Sequence, residues 1–504
     1  MPKFVFIWAD LFLWLLAAGA VVYFWRVRGN ANLRASWRHV ARSAPAMASA
    51  VLLAAFVAVA LADSIHFRPR LAALPDAASD AAAAYATRTY SLFDTWLAHP
   101  LEAREKTYSI PLAYWSFQKE TTVVDGKEVR HFPRLWFGGA HLQDPEREWL
   151  PDLAARSVVG VGGGVAVAAG LALLIAWLRA RQAPAEGGGA TLADSLRAIV
   201  RGDTEVPWRA MLAMLALICA FTGWLVAIWP VYHPFGTDRI GNDVLYQALK
   251  SIRTAVVIGV LATIATLPFA IVLGVAAGYF KGWVDDLIQY FYTVLSSIPA
   301  ILLVAALVLL INVYIDQHVE YFATGLERAE FRLFLLCLIL GVTGWATLCR
   351  LLRAETLKLV ELEFVQAARA FGVSPLRIMA RHILPNVMHL VLIVAVLDFS
   401  ALVLYEAVLS YVGVGVDPNS ASFGSMINLA RSEMSRDPAV WWNLAAAFIF
   451  MLALVLAANL LADAVREAFD PRARAFRPRR WRRAAPAVAE GKGKGEPVRV
   501  AEAT

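Results

Sequence analysis

Cysteine is nearly missing from this chain: there are three in 504 residues, Cys219, Cys337 and Cys349, each in an apolar run and none beside a His or another Cys. That scarcity excludes a disulfide framework and a zinc site of ordinary ligand spacing. Charge is sparse too. Asp, Glu, Lys and Arg make up 17% of the residues against 59% hydrophobic, and the mean hydropathy of +0.56 excludes a row of soluble domains and indicates a membrane protein. A phosphate loop of the form G-x-x-x-x-G-K-[ST] is missing as well, since the glycine-lysine run at 491–495 lies in a polar tail with the wrong spacing. The formal charge of +7 comes from arginines clustered beside hydrophobic segments, as in cytoplasmic loops, and calls for no nucleic acid.

What is abundant is the long apolar run. A bilayer core about 30 Å thick needs roughly 20 apolar residues in a helix. Nine runs approach that length, at 4–24, 46–62, 158–178, 208–229, 254–279, 287–313, 331–349, 388–409 and 441–461. Arg26, Arg28, Arg34, Arg38 and Arg42 lie between the first two runs without one acid, which places that loop in the cytoplasm and the amino terminus outside. The positive charge follows the first apolar run, so the run reads as an uncleaved anchor. The carboxyl terminus falls inside. Its arginines at 472, 474, 477, 479, 480, 482 and 483 read as a topology determinant or a contact with anionic membrane lipid.

Two stretches interrupt the spans. Residues 63–157 are too many for a simple connection and are rich in aromatics, so they are expected to form a small extracytoplasmic domain. Asp125-Gly126 suits the two-residue turn of a β-hairpin there. Residues 182–190 hold Pro184 and three consecutive glycines, and read as a cytoplasmic linker. The expected organisation is two spans with a basic loop (1–62), the insertion (63–157), a third span and linker (158–207), a six-span core (208–472) and a basic tail (473–504). Gly160, Gly162, Gly163 and Gly164 lie within the third span and are read as sites of close helix packing.

The most informative stretch is 363–386, EFVQAARAFGVSPLRIMARHILPN. Phe364, Ala367, Ala368 and Phe371 share one face of a helix, with Gln366 and Arg369 opposite. Gly372 stands where a helix ends with positive φ, Ser374-Pro375 reads as a cap and first helical residue, and Pro385 as a stop. Two short helices meeting at a glycine corner suit either docking against another protein or lying on the lipid surface.

This stretch resembles the EAA loop of ABC importer permeases, through Gln366-Ala367-Ala368, Gly372 and Leu384-Pro385. Gln366 takes the place of a commoner Glu, and His382 that of Ile. The run from His233 to Leu245, the run from Glu406 to Val416, and Asp463, Arg466 and Asp470-Pro471-Arg472 narrow the resemblance to the C-type membrane subunit of dipeptide, oligopeptide and nickel importers. Asn242 and Gln247 each stand where that family has Arg. The match covers roughly 208–472; residues 1–201 have no counterpart in it.

The resemblance implies an all-α polytopic protein of the bacterial inner membrane, a six-helix type I ABC importer permease core carrying a three-span extension. It implies no catalysis and no cofactor on this chain, with ATP bound by two separate ATPase subunits, and further partners in a second permease and an extracytoplasmic substrate-binding protein. Phe364, Gln366, Ala367, Ala368, Gly372 and Pro385 would form the ATPase-coupling loop. Asp398 and Glu406 lie within an apolar span, where a carboxylate either lines the translocation path or bonds a neighbouring helix. The competing readings are a secondary transporter, which would need paired broken helices with ion ligands in both halves, and a membrane scaffold whose outer domain is the active part.

Overall fold

The computed structural model describes residues 3–70, 85–86, 88–98, 102–124, 127–182, 191–322, 324–417 and 420–469. The 182–190 linker from 183 onward, the Asp125-Gly126 turn and the arginine-rich tail lie outside them. Residues 1–469 form one compact unit.

Nine helical segments among the described residues are long and apolar enough to cross a membrane. The extension supplies α1 (Trp8–Gly29), α3 (Ala44–Asp63) and α5 (Pro145–Gln182), with α2 (Ala31–Val40) between the first two and a short α4 (Leu92–Trp96) in the insertion. After the amphipathic α6 (Leu192–Arg201), the core begins with α7 (Trp208–Ile228) and α8 (Val244–Phe280). It continues through α9 (Gly282–Ser297), α10 (Ala300–Gln317), a 3-10 turn (Val319–Tyr321), α11 (Gly325–Gly344) and α12 (Ala346–Val360). Then come α13 (Glu363–Ala370), α14 (Pro375–Ile378), a π turn (Met379–Ile383), α15 (Leu384–Val412), α16 (Phe423–Glu433) and α17 (Trp442–Phe469).

The sixth expected span needs correcting. Residues 287–313 are not one helix: α9 ends at Ser297, and Ile298-Pro299 are extended before α10 starts. Proline disfavours helical backbone in the residue before it, so Ile298 at ψ 132° breaks the rod and the crossing segment is Ala300–Gln317. Pro268, by contrast, stays inside α8.

Close packing joins extension to core through α5 and α7. A Cβ added at Gly160 would lie 2.7 Å from the Gly223 carbonyl oxygen, and one at Gly164 would lie 2.2 Å from that of Cys219, so the i, i+4 pair lets the two backbones touch. Gly162 and Gly163 face open space and take no part. The insertion carries little regular structure. Antiparallel pairing joins β1 (Lys3–Phe4), β2 (His66–Arg68) and β3 (Tyr90–Ser91), while β4 (Glu120–Val124) and β5 (Lys127–His131) form a hairpin with Val124 opposite Lys127. The β1–β2 pairing sets the amino terminus beside the start of the insertion.

The apolar core divides along the bundle. One cluster surrounds the amino-terminal half of α8, with Ile252, Ile258, Leu336 and Trp442 fully buried. A second surrounds its other end, where Leu348, Leu352, Val365, Ile378 and Ile383 pack together.

Candidate functional site

The second cluster holds the 363–386 loop in place. Val365 and Ile378 are buried, one from each short helix, and they anchor the loop to α8 and α12. The expected apolar face of Phe364, Ala367 and Phe371 points away from the protein: Phe371 is 85% exposed and Leu376 75%, and Phe364 is exposed beside them. Gln366 and Ala367 are exposed and Ala368 is half-buried. Gly372 has φ +71° with nothing within 4 Å of an added Cβ, so only backbone conformation restricts its side chain.

Two readings of this loop change. Ser374 is the cap residue but its hydroxyl makes no capping hydrogen bond. Pro385 does not stop the helix; it occupies the first turn of α15, and the π turn before it takes up the missing N–H and the bulk of the ring. Backbone from Pro375 to Val412 is therefore continuous. Arg369 is exposed, and its guanidinium lies over the Tyr279 ring at 4.6 Å from the centroid, which ties α13 to the end of α8. Lys281 and Glu361 pair nearby at 2.6 Å, and Arg353 pairs with Asp285 between α12 and α9.

The two intramembrane carboxylates separate. Glu406 is 1% exposed and accepts a 2.6 Å hydrogen bond from the Ser410 hydroxyl one turn along α15, which makes it a packed internal group. Asp398 is half-buried and meets no hydrogen-bonding or charged partner among the described residues.

At the opposite end, the run from His233 to Leu245 is a buried polar knot. Asp243 caps α8 by accepting from the Tyr246 amide, and its other oxygen accepts from Trp229 Nε1 at 3.1 Å and His233 Nδ1 at 2.8 Å. Asp238 accepts from the Asn242 side chain and from Gln247, the two positions where the resembled family carries Arg. The insertion is stitched into this knot. Glu105 lies 3.5 Å from His233 Nε2 and accepts from the amides of Trp136, Phe137 and Gly138, and Ser109 N donates to Thr237 Oγ1 at 2.7 Å. Burial pulls the His233 pKa down, but the Asp243 and Glu105 carboxylates outweigh it and raise it to about 9. Burial raises the Glu105 carboxyl, yet His233 and the three amides hold it below its ordinary value.

One buried ion cluster was not anticipated. Arg253 of α8 donates to Asp10 of α1 at 3.0 Å and to both oxygens of Glu330 of α11 at 2.7 and 3.0 Å, and His66 Nδ1 lies 2.9 Å from the other Asp10 oxygen. One turn earlier on α8, Lys250 pairs with Asp94 and Asp63 at 2.8 and 3.0 Å. The extension is thereby locked to the first long core helix by charge as well as by packing. The signal was Asp10, an acid inside an apolar run, which demands a partner.

Residues 270–475 match the family model for binding-protein-dependent transport system inner membrane components. The oligopeptide transport system permease protein OppC of Mycobacterium tuberculosis is 33% identical over 245 residues, which is 49% of this chain and 78% of that protein. OppC of Haemophilus influenzae is 31% identical, covering 48% and 71%. The dipeptide transport system permease protein DppC of Bacillus subtilis is 29% identical, covering 48% and 69%. The family-model match runs from within α8 through α17 and includes the 363–386 loop and α15; on these likenesses, together with nine segments long and apolar enough to cross a membrane, the chain belongs to the family of binding-protein-dependent transport system inner membrane components, the ABC importer permeases.

Proposed function

We propose that this chain is one transmembrane subunit of an ATP-driven peptide importer, working with a second permease, two ATPase subunits and an extracytoplasmic binding protein. Peptides are the solutes named for its relatives. The observation that carries the coupling role is the exposed trio Phe364, Phe371 and Leu376 around the Gly372 corner, an apolar surface held rigidly from behind by Val365 and Ile378. Such a surface on the arginine-rich side suits a groove in an ATPase, which would bind the ATP that this chain has no loop to hold.

Force applied there has a direct route inward. The continuous backbone from Pro375 to Val412 makes the second half of the loop and α15 one lever, with Asp398 near the middle of its apolar stretch. A carboxylate at that depth is costly in lipid and is retained where it meets water or a polar partner, so Asp398 is assigned to the translocation path or the face toward the second permease. Glu406, packed against Ser410, is given a structural part. Transport would proceed by alternating access.

Substitutions test the docking surface. Gly372→Val places a β-branched residue at φ +71°, costing about 1 to 2 kcal/mol locally, and Ala368→Trp inserts bulk under the docking face. Both are expected to abolish co-purification of the ATPase while the permease still reaches the membrane. Retention of the ATPase by both variants would remove the coupling assignment.

A further inference from the structure

The amino-terminal segment also borders an open cavity at the end of the molecule opposite the 363–386 loop. Phe6 and Trp8 from the extension face Tyr314 and His318 at the end of α10, Tyr321 in the 3-10 turn and Glu327 in α11, around a space of about 500 Å³. That is the size of a site for a small molecule, roughly 300 to 1,000 Å³. The family-model match, at 270–475, does not reach residues 6–8, which form this wall of the cavity.

The lining is aromatic. Phe6 and Trp8 meet edge to face with centroids 5.9 Å apart, and His318 is stacked on Tyr321 at 5.5 Å and lies tilted against Tyr314 at 4.4 Å. Its charge has one sign. Among the described residues, the charged side chains that line the cavity are Glu327 and Glu330. Behind the wall, Glu330 and Asp10 share the single guanidinium of Arg253, which leaves that cluster one negative charge in excess when His is counted neutral. Ring faces and surplus negative charge attract a cation with an apolar body and disfavour an anion.

We infer that this cavity binds an organic ammonium group, its charge set against the ring faces and its carbon body among them. Two sources present this chemistry: the amino terminus of a peptide, and the ethanolamine headgroup of a membrane lipid. The site needs both halves of the chain, because the extension supplies one wall and the core the other. Binding there requires neither ATP nor the ATPase, so it stands or falls separately from the coupling assignment.

The test uses the full-length chain in nanodiscs of phosphatidylglycerol alone, titrated calorimetrically with tetramethylammonium and with trialanine carrying a free or an acetylated amino terminus. Tetramethylammonium is expected to bind, and acetylated trialanine to bind at least about tenfold more weakly than any ligand that keeps its ammonium. Trp8→Ala and Tyr321→Ala should each weaken tetramethylammonium binding by about tenfold, while Trp283→Ala, on an exposed face of α9, leaves it unchanged. Free trialanine displaced by tetramethylammonium identifies the peptide as the source. Phosphatidylethanolamine added to the nanodiscs and displaced by tetramethylammonium identifies the lipid. Absence of tetramethylammonium binding to the unsubstituted chain overturns the inference without reliance on any variant's folding, and so does equal binding by folded Trp8→Ala and Tyr321→Ala.

Discussion

Arg253 holds two carboxylates from two different helices, and its removal would leave Asp10 and Glu330 facing each other in a buried site. Breaking a buried ion pair from one side costs about 3 to 5 kcal/mol, because the remaining charge is left uncompensated. Arg253→Met should therefore lower the thermal stability of the detergent-solubilised protein far more than Lys281→Met, which breaks an exposed pair worth about 1 kcal/mol at most. Equal effects would show that the cluster does not hold the extension to the core. Residue-level legibility was uneven here for a physical reason. Arg253 and Glu330 each fall one position outside the apolar runs read at 254–279 and 331–349, so hydropathy placed them at the ends of spans where charges are unremarkable. Their helices in fact extend beyond the apolar runs, to Val244 and Gly325, and carry both residues into the packing around the amino-terminal half of α8. Likewise four glycines within 160–164 mark close packing, but only the helical phase tells that Gly160 and Gly164 provide it.

Elements whose boundaries are set by local chemistry were readable. The end of the first short helix at Gly372, with φ +71°, and the pairing of β4 with β5 on either side of 125–126 fall where the sequence placed them. Proline was the least reliable marker. Pro299 ends a helix that hydropathy runs straight through, while Pro385 and Pro268 are accommodated, one by a π turn and one within a long packed helix. Whether a proline breaks or bends depends on what can take up the lost hydrogen bond, and the sequence alone does not hold that information. The polar knot between α7 and α8 makes a prediction that belongs to this scale. His233 titrates at about 9 when folded against an ordinary value of 6.5, so its contribution to stability is complete below about pH 6.5 and is lost as pH rises through about 9. A shift of that size corresponds to something on the order of 3 kcal/mol. The stability difference between the native chain and His233→Gln, measured by thermal unfolding from about pH 6 to pH 10, should shrink as pH rises. A difference that stays constant would mean that the imidazolium does not join the insertion to the core.

For the whole molecule, the described extension, insertion and core make one body, with an exposed apolar surface at one end and the stitched loops at the other. Nine segments are long and apolar enough to cross a membrane, and the arginine distribution is the ground for proposing that the loop at 363–386 lies on the cytoplasmic side. The coarse architecture was legible because lipid demands long apolar helices and leaves few alternatives. The joining of the two halves was not, since it rests on pairs such as Arg253 with Asp10, separated by 243 residues, for which one sequence carries no contact information. The most direct measurement of the central claim is uptake of a labelled peptide into proteoliposomes holding this chain with its partner permease, ATPases and binding protein. Uptake is expected to require ATP, to be unaffected by collapse of the proton and sodium gradients, and to be lost with Gly372→Val; uptake that continues without the ATPase subunits and stops when the ion gradients collapse would contradict it.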